Sequence, residues 1–332
     1  MSLPEWLHFF ERPFPSANMV LIKTEQPVLI DSGFGADFER TEKLLHQAGV
    51  RPEKIRLLLN THYHCDHVGG NHDFQQRYGV PNAAHFIEAN HVNRRSKEAC
   101  DAEWLGQPIQ PYDVDYLLSD GDEIDAGGVR IQVLHTPIHS LGHLCFYLPD
   151  EKILIAGDTI HRRDVAWLNP FRPDGNVFET TLAVIERLRS LPVRWACSGH
   201  GKAITEPATT FERAEQRYKR WSKEPQKMGW HACKRFFAYR LMMSDGLTEE
   251  EVQTYLLESA WYQDYTQKLF EVEPVAFIAP LLNEMLRSRA AAWQNGRLIA
   301  LAPYHSPPEG WAKAQRYPRA WPRAKGMGRR FG

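Results

Sequence analysis

The stretch Asn60-Thr61-His62-Tyr63-His64-Cys65-Asp66-His67 constrains the fold of this 332-residue chain more than any other. It grows out of Ile55 to Asn60, a run that is apolar but for Arg56 and so reads as a strand covered on both faces. Three histidines and an aspartate within six positions need a scaffold that buries the strand and turns the loop after it toward one cavity. Imidazole nitrogen and carboxylate oxygen are ligands suited to zinc and its first-row neighbours. The run offers more of them than one four-coordinate metal with an open position requires, so it predicts two metals. Histidine-rich loops also occur on surfaces, and a short motif has chance matches. Three further segments weigh against chance. Thr136-Pro137-Ile138-His139 follows a predicted strand over Val129 to His135, Gly157-Asp158-Thr159 follows Ile153 to Ala156, and Ser198-Gly199-His200-Gly201 follows Val193 to Cys197. Every candidate ligand therefore lies just past a strand, on one edge of a sheet.

The first two hundred residues alternate short β-like runs with helical patterns, the layout of an α/β fold. Met19 to Lys23 and Val28 to Asp31 read as a strand pair, Ala36 to Ala48 as a helix closed by Gly49, Leu144 to Leu148 as a strand and Phe178 to Ser190 as a helix. After Pro207 the pattern changes to long helical stretches rich in Arg, Lys and Trp. Thr248-Glu249-Glu250-Glu251 has the form of a capping box, Pro274 to Ala290 reads as a helix, and Asn295-Gly296 between apolar flanks predicts a hairpin. Helix, helix, hairpin is a winged-helix-like order. The expected division is a catalytic unit over 1–206, a smaller, mainly helical unit over 207–302 and a flexible basic tail over 303–332.

Charge and cysteine content remove several function classes. Lys plus Arg number 40 against 41 Asp plus Glu, a net charge of −1, which excludes the strongly basic balance of a dedicated nucleic-acid binder. Residues 303–332 nevertheless carry seven basic side chains against Glu309 alone. Five scattered cysteines without a CxxC spacing argue against a disulfide framework or a zinc knuckle. No run approaches the ~18 apolar residues of a membrane span, and the charged start of the chain is unlike a signal peptide, so the expected compartment is the cytoplasm, with no membrane partner.

Five segments in order, the Asp31-Ser32-Gly33 turn, His62 to His67 with Val68-Gly69-Gly70, Thr136 to His143, Gly157-Asp158-Thr159 and Ser198 to Gly201, resemble the metallo-β-lactamase superfamily of metal-dependent hydrolases over about residues 15–205. The resemblance implies an αββα sandwich. It implies that His62, His64 and His139 hold one metal, that Asp66, His67 and His200 hold a second, and that Asp158 bridges them. The cofactor it implies is a pair of divalent ions, zinc first and iron or manganese as substitutes. Two such cations lower the pKa of a shared water, so that a bridging hydroxide exists near neutral pH, with Asp66 and Asp158 orienting it and relaying its proton.

The loop after Asp158 is where this superfamily commonly builds part of its pocket. His161 stands where lactonases of acyl-homoserine lactones usually have tyrosine; as a catalytic candidate it would polarise a carbonyl or protonate a leaving group. Arg162 and Arg163 would attract an anion or simply be solvated, Trp167 and Phe171 would pack, and His135 and His143 would stand behind the ligand His139. His72 would be a surface residue, and Cys65 a spacer with a minor alternative as a reactive thiol. The leading functional expectation is a binuclear hydrolase of a small thioester or ester, lactones included, like glyoxalase-II-type members. The alternatives are a phosphodiesterase or endoribonuclease that uses the basic tail on nucleic acid, and a mononuclear-iron persulfide dioxygenase. The absence of a long insertion between Gly157 and His200 weakens the nuclease, and His64, where the di-iron redox branch usually has glutamate, argues against that branch. The expected partner is a small-molecule substrate; oligomeric state is open.

Overall fold

The computed structural model describes residues 3–172 and 176–331. Its first sheet contains β1 (Leu7–Phe10), β2 (Met19–Ile22), β3 (Val28–Ile30), β4 (Leu57–Leu59), β5 (Asn82–His85) and β6 (Tyr116–Leu118). The second contains β7 (Glu123–Asp125), β8 (Arg130–His135), β9 (Leu144–Leu148), β10 (Ile153–Gly157) and β11 (Trp195–Ser198). A hairpin of β12 (Ala291–Gln294) and β13 (Arg297–Ala300) stands apart, and the last strand, β14 (Arg329–Arg330), joins the first sheet beside β6. The orders are β1-β2-β3-β4-β5-β6-β14 and β11-β10-β9-β8-β7.

Alternation along the central strands explains the layering. Val28, Ile30, Leu57 and Leu59 face the second sheet and meet Ile131, Val133, Phe146 and Ile155. Leu29 and Leu58, one residue out of phase, face the other way onto Phe38, Leu45 and Phe74 of the helices Phe38–Gln47 and Asn71–Tyr78. That is why these strands read as unbroken apolar runs. The outer face of the second sheet, with Leu134, Leu154 and Ala196, is covered by Ile185 and Leu188 of the helix Val177–Arg189 and by Phe211, Ala214 and Tyr218 of the helix Pro207–Lys223. Helix, sheet, sheet, helix is the αββα order, and each fully buried Leu or Ile contributes ~1.5–3 kcal/mol to holding it.

Three helical segments, Pro225–Met243, Glu249–Glu258 and Pro274–Arg287, form a C-terminal region with its own aromatic core, into which Leu105 and Trp167 of the sandwich insert. Thr248 and Glu251 form the capping box, and Asn295 (φ 48°) with Gly296 (φ 76°) makes the hairpin turn. The helix Pro207–Lys223 packs with the sandwich, although the change in composition at residue 207 suggests the start of the separate unit. The basic tail differs from its expectation as a flexible extension. Trp321 is buried against Tyr112 and under Arg95, Trp311 meets Phe34, and β14 pairs in parallel with β6. Aromatic side chains ten residues apart anchor it, and so sparse a pattern has no period to detect. No helix among the described residues is long and apolar enough to cross a membrane.

Candidate metal centre

Strand direction assembles the site. β8 and β10 both run antiparallel to β9, and β10 runs parallel to β11, so the C-terminal ends of β8, β10 and β11 share one edge. β3 and β4 are parallel in the other sheet. The two edges are tied by backbone: Leu144 N donates to Thr61 O (2.7 Å), and Asn18 N donates to Gly199 O (2.7 Å). After β4 the chain turns into the short helix Cys65–Val68, which carries Asp66 and His67 inward. Gly199 leaves room for His67 and Asp158, since a Cβ there would lie 2.2 Å from Asp158 Oδ1 and 2.7 Å from His67 Cε1.

All seven ligand candidates converge. His62, His64 and His139 form one group whose ligand atoms lie within 4.8 Å of one another; Asp66, His67 and His200 form another, and His62, His67 and Asp158 a third. His64 Nδ1 is 2.9 Å from His139 Nε2, and His200 Nε2 is 3.1 Å from Asp66 Oδ2. Asp158 stands between the two sides, with Oδ2 3.6 Å from both His139 Nε2 and His200 Nε2 and Oδ1 3.4 Å from His67 Nε2.

Hydrogen bonds behind the rings set the tautomers. His67 Nδ1 donates to Asp31 Oδ2 (2.8 Å), and His139 Nδ1 donates to the carbonyl of Trp167 (3.0 Å). Thr61 Oγ1 gives its single proton to Asp31 Oδ2 (2.7 Å), so at 3.1 Å it accepts from His62 Nδ1. His64 is turned the other way, with Nε2 3.3 Å from Asp101 Oδ2. Each arrangement leaves a lone pair, on Nε2 of His62, His67 and His139 and on Nδ1 of His64, aimed into the cluster. His143 lies behind Asp158: its Nε2 accepts from the Asp158 amide (3.0 Å) while its Nδ1 donates to Thr136 Oγ1 (2.8 Å).

Electrostatics agree with a site built for positive charge. Burial alone would raise the pKa of Asp158, yet His200 and His67 hold it well below the usual carboxylate range. Asp66 is likewise lowered, burial being outweighed by His67 and His200. Burial opposes charge on His67, but Asp66, Asp158 and Asp31 raise its pKa well above 6.5, so without a cation a proton takes the Nε2 lone pair that a metal ion would otherwise occupy. On the other side, burial and the surrounding imidazoles push His62 and His139 well below that value. His62 Nε2, His67 Nε2 and Asp158 Oδ1 are buried without a hydrogen-bond partner among the described residues. Buried lone pairs left so cost ~1–3 kcal/mol each unless a cation takes them. A donor set of imidazole nitrogen and carboxylate oxygen fits one or more divalent first-row ions.

A cavity of about 1110 Å³ opens from this cluster toward the C-terminal helices. His161 lines it, with Nδ1 2.7 Å from Ser198 Oγ and a pKa pushed down by burial to about 3. Trp167 forms a wall, stacked on His64 (5.3 Å, 27°) and edge-on to His139 (4.4 Å, 69°). Phe171 packs edge-on to Tyr265, and His135 stacks on His85 away from the cluster. His72 is half-buried and bonded to the Pro111 carbonyl. Cys65 does not supply a thiolate: burial pushes its pKa well up, and its thiol donates to Gln107 Oε1 (3.1 Å) beside the Tyr239 hydroxyl. Asp101, Thr61 and the Trp167 carbonyl had no sequence signal of their own, whereas Asp31 belonged to a recognisable turn without an evident task.

The sequence model of the metallo-beta-lactamase superfamily matches residues 12–200. An uncharacterized protein of Aquifex aeolicus is 31% identical over 170 residues, 51% of this chain and 75% of the relative. The acyl-coenzyme A thioesterase MBLAC2 of Homo sapiens is 28% identical over 55% of this chain and 72% of its own length. The hydroxyacylglutathione hydrolase of Pelagibacter ubique is 30% identical over 32% of this chain, but the match spans only 36% of that enzyme. In fold, the metallo-beta-lactamase family protein TTHA1429 of Thermus thermophilus superposes with a TM-score of 0.57 at 22% identity, covering 90% of this chain and 100% of its own. With fold, ligand-bearing loops and sequence match in agreement, this chain belongs to the metallo-beta-lactamase superfamily.

Proposed function

We propose that this protein is a binuclear metal-dependent hydrolase of small acyl thioesters, with related esters and lactones as secondary substrates. The observation that carries the reading is the position of Asp158, whose Oδ2 lies 3.6 Å from His139 Nε2 of one triad and from His200 Nε2 of the other, beside one cavity. His62 Nε2, His64 Nδ1 and His139 Nε2 would hold one ion, Asp66, His67 Nε2 and His200 Nε2 the other, zinc being the expected metal. Divalent cations held there supply Lewis-acid polarisation of a carbonyl oxygen and bring the pKa of water toward neutrality. The names of two relatives, a hydroxyacylglutathione hydrolase and an acyl-coenzyme A thioesterase, favour the thioester bond.

The chain's own groups then divide the work. Asp66 and Asp158 orient the attacking water and take its proton. Ser198 Oγ accepts from His200 N (3.3 Å), which frees its own proton for His161 Nδ1 and leaves a neutral Nε2–H on the ring. That N–H is a donor for the carbonyl oxygen or the leaving sulfur. Trp167 shields the His64 and His139 side from bulk water. The test is a panel of one acyl group presented as thioester, oxygen ester and lactone, beside a phosphodiester, on zinc-reconstituted protein. Thioester turnover should dominate and fall ~100-fold or more in His161→Ala. Turnover of the phosphodiester alone would overturn the reading.

A further inference from the structure

The cavity beside the ligand cluster is unevenly charged. Its acids are spoken for: Asp66 and Asp158 belong to the cluster, and Asp164 pairs with both Arg217 and Arg235. Lys234 is held by Glu284 at 2.9 Å. Four cations that line the same cavity, Arg162, Arg163, Lys202 and Arg289, have no carboxylate within 4.0 Å among the described residues. Three of them are tethered to the site by sequence. Arg162 and Arg163 follow His161 directly, and Lys202 is two residues beyond His200, within about 7 Å of backbone.

A second cavity of about 410 Å³ shares Arg162 and Arg163 with the first and continues past them to Arg213, Thr205 and Thr209. Glu206 also lines it. Arg213 donates to the carbonyl of Arg162 (2.9 Å), which brings its guanidinium to the same junction. Unpaired cations along two connected concavities focus a positive potential where a substrate must pass. The walls nearer the cluster are apolar, formed by Trp167, Phe236, Leu105 and Met242. The site thus offers an apolar region beside the reacting centre and a cationic arc leading away from it.

We infer that the substrate is an acyl thioester whose thiol carrier bears phosphate groups, as coenzyme A does, with the acyl group near Trp167 and Phe236 and the phosphates on Arg162, Arg163 and Arg213. This rests on the thioester reading of the same site. In the reaction water adds its oxygen to the carbonyl carbon, the C–S bond breaks, the carrier sulfur takes a proton, and the products are a carboxylate and the free thiol. Guanidinium groups suit phosphate oxygens because they donate two hydrogen bonds at once.

The experiment compares one acyl group on three carriers, coenzyme A, N-acetylcysteamine and glutathione, using zinc-loaded protein, and titrates coenzyme A alone by calorimetry. The coenzyme A ester should be preferred over the N-acetylcysteamine ester at least tenfold in kcat/KM, chiefly through KM. That preference should shrink several-fold as salt rises from low to physiological strength. In R162A/R163A the ratio should collapse toward unity, and coenzyme A should bind at least tenfold more weakly. Arg213→Ala should reduce both in the same direction. Equal kcat/KM on all carriers, or a glutathione preference, overturns the inference while leaving the thioester reading intact. Failure to hydrolyse any thioester sinks that reading, and the calorimetric titration still decides the cationic arc. Tighter binding of single-stranded RNA than of coenzyme A would assign the arc to a polynucleotide and refute the inference.

Discussion

Replacing Asp31 by asparagine should weaken one metal site and largely spare the other. Asp31 sits at φ 60°, a backbone region that asparagine tolerates as well as aspartate, so the change adds no strain. The carboxylate accepts three hydrogen bonds, from Thr61 N (2.8 Å), Thr61 Oγ1 (2.7 Å) and His67 Nδ1 (2.8 Å). An amide keeps one acceptor oxygen, which Thr61 N claims, and turns an NH₂ toward the other two donors. The Thr61 hydroxyl can rotate and accept. The His67 ring can accept only by moving its proton from Nδ1 to Nε2, which removes the lone pair now facing Asp66 and Asp158. Losing such an outer partner costs about 10–100-fold in metal affinity, ~1.4–2.8 kcal/mol. The first triad is touched only through Thr61, so it should weaken less. A competition titration against a chromogenic chelator resolves the two sites. Two binding steps, one weakened by that factor, are expected. Affinities within twofold of the parent at both steps would refute the reasoning that Asp31 sets the His67 tautomer.

Other perturbations read different parts of the account. Asp158→Ala removes the carboxylate that lies 3.6 Å from both His139 and His200 and should lower turnover about 10³-fold or more, ~4 kcal/mol, while the circular dichroism spectrum stays unchanged; near-parent turnover would reject its role. Gly199→Ala places a Cβ against Asp158 Oδ1 and His67 and should cost ~1–3 kcal/mol of stability together with metal content, read by melting and elemental analysis. Glu88 is buried under Ser140, and burial pushes its pKa from 4.5 up to about 8. A raised folded-state pKa means that stability is fully present below about pH 4.5 and declines until pH passes about 8, by up to ~5 kcal/mol. Urea unfolding at pH 5 and 8.5 should show that decline in the parent and a flatter profile in Glu88→Gln; identical profiles would count against it. His143 behaves oppositely, since burial holds its pKa down at about 3, so its contribution is present above about pH 6.5 and fades as acid is added. Metal-free protein should therefore lose stability below pH 6.

Much of the site was legible because its chemistry requires residue types that stand out. Four ligand-type side chains in six positions after an apolar run leave few alternatives, and the segments at 139, 158 and 200 repeat the same placement past a strand. The alternation Val28, Leu29, Ile30 was legible only as one strand of a pair, because nothing local says which face meets a helix and which a sheet. What escaped is what tertiary structure alone brings near. Asp101 reaches His64 from a remote turn, and Trp167 acts on His139 through a backbone carbonyl, which no side-chain pattern reports. The tail reads as flexible because Pro, Gly and Arg dominate its composition, while Trp321 and β14 do the anchoring.

The most direct measurement is elemental analysis of protein dialysed to equilibrium with dilute zinc, made on the parent and on His139→Ala in parallel. Two ions per chain in the parent and about one in the variant would agree with a pair of triads joined at Asp158. A single ion in the parent at full activity, or the same count in both proteins, would contradict it.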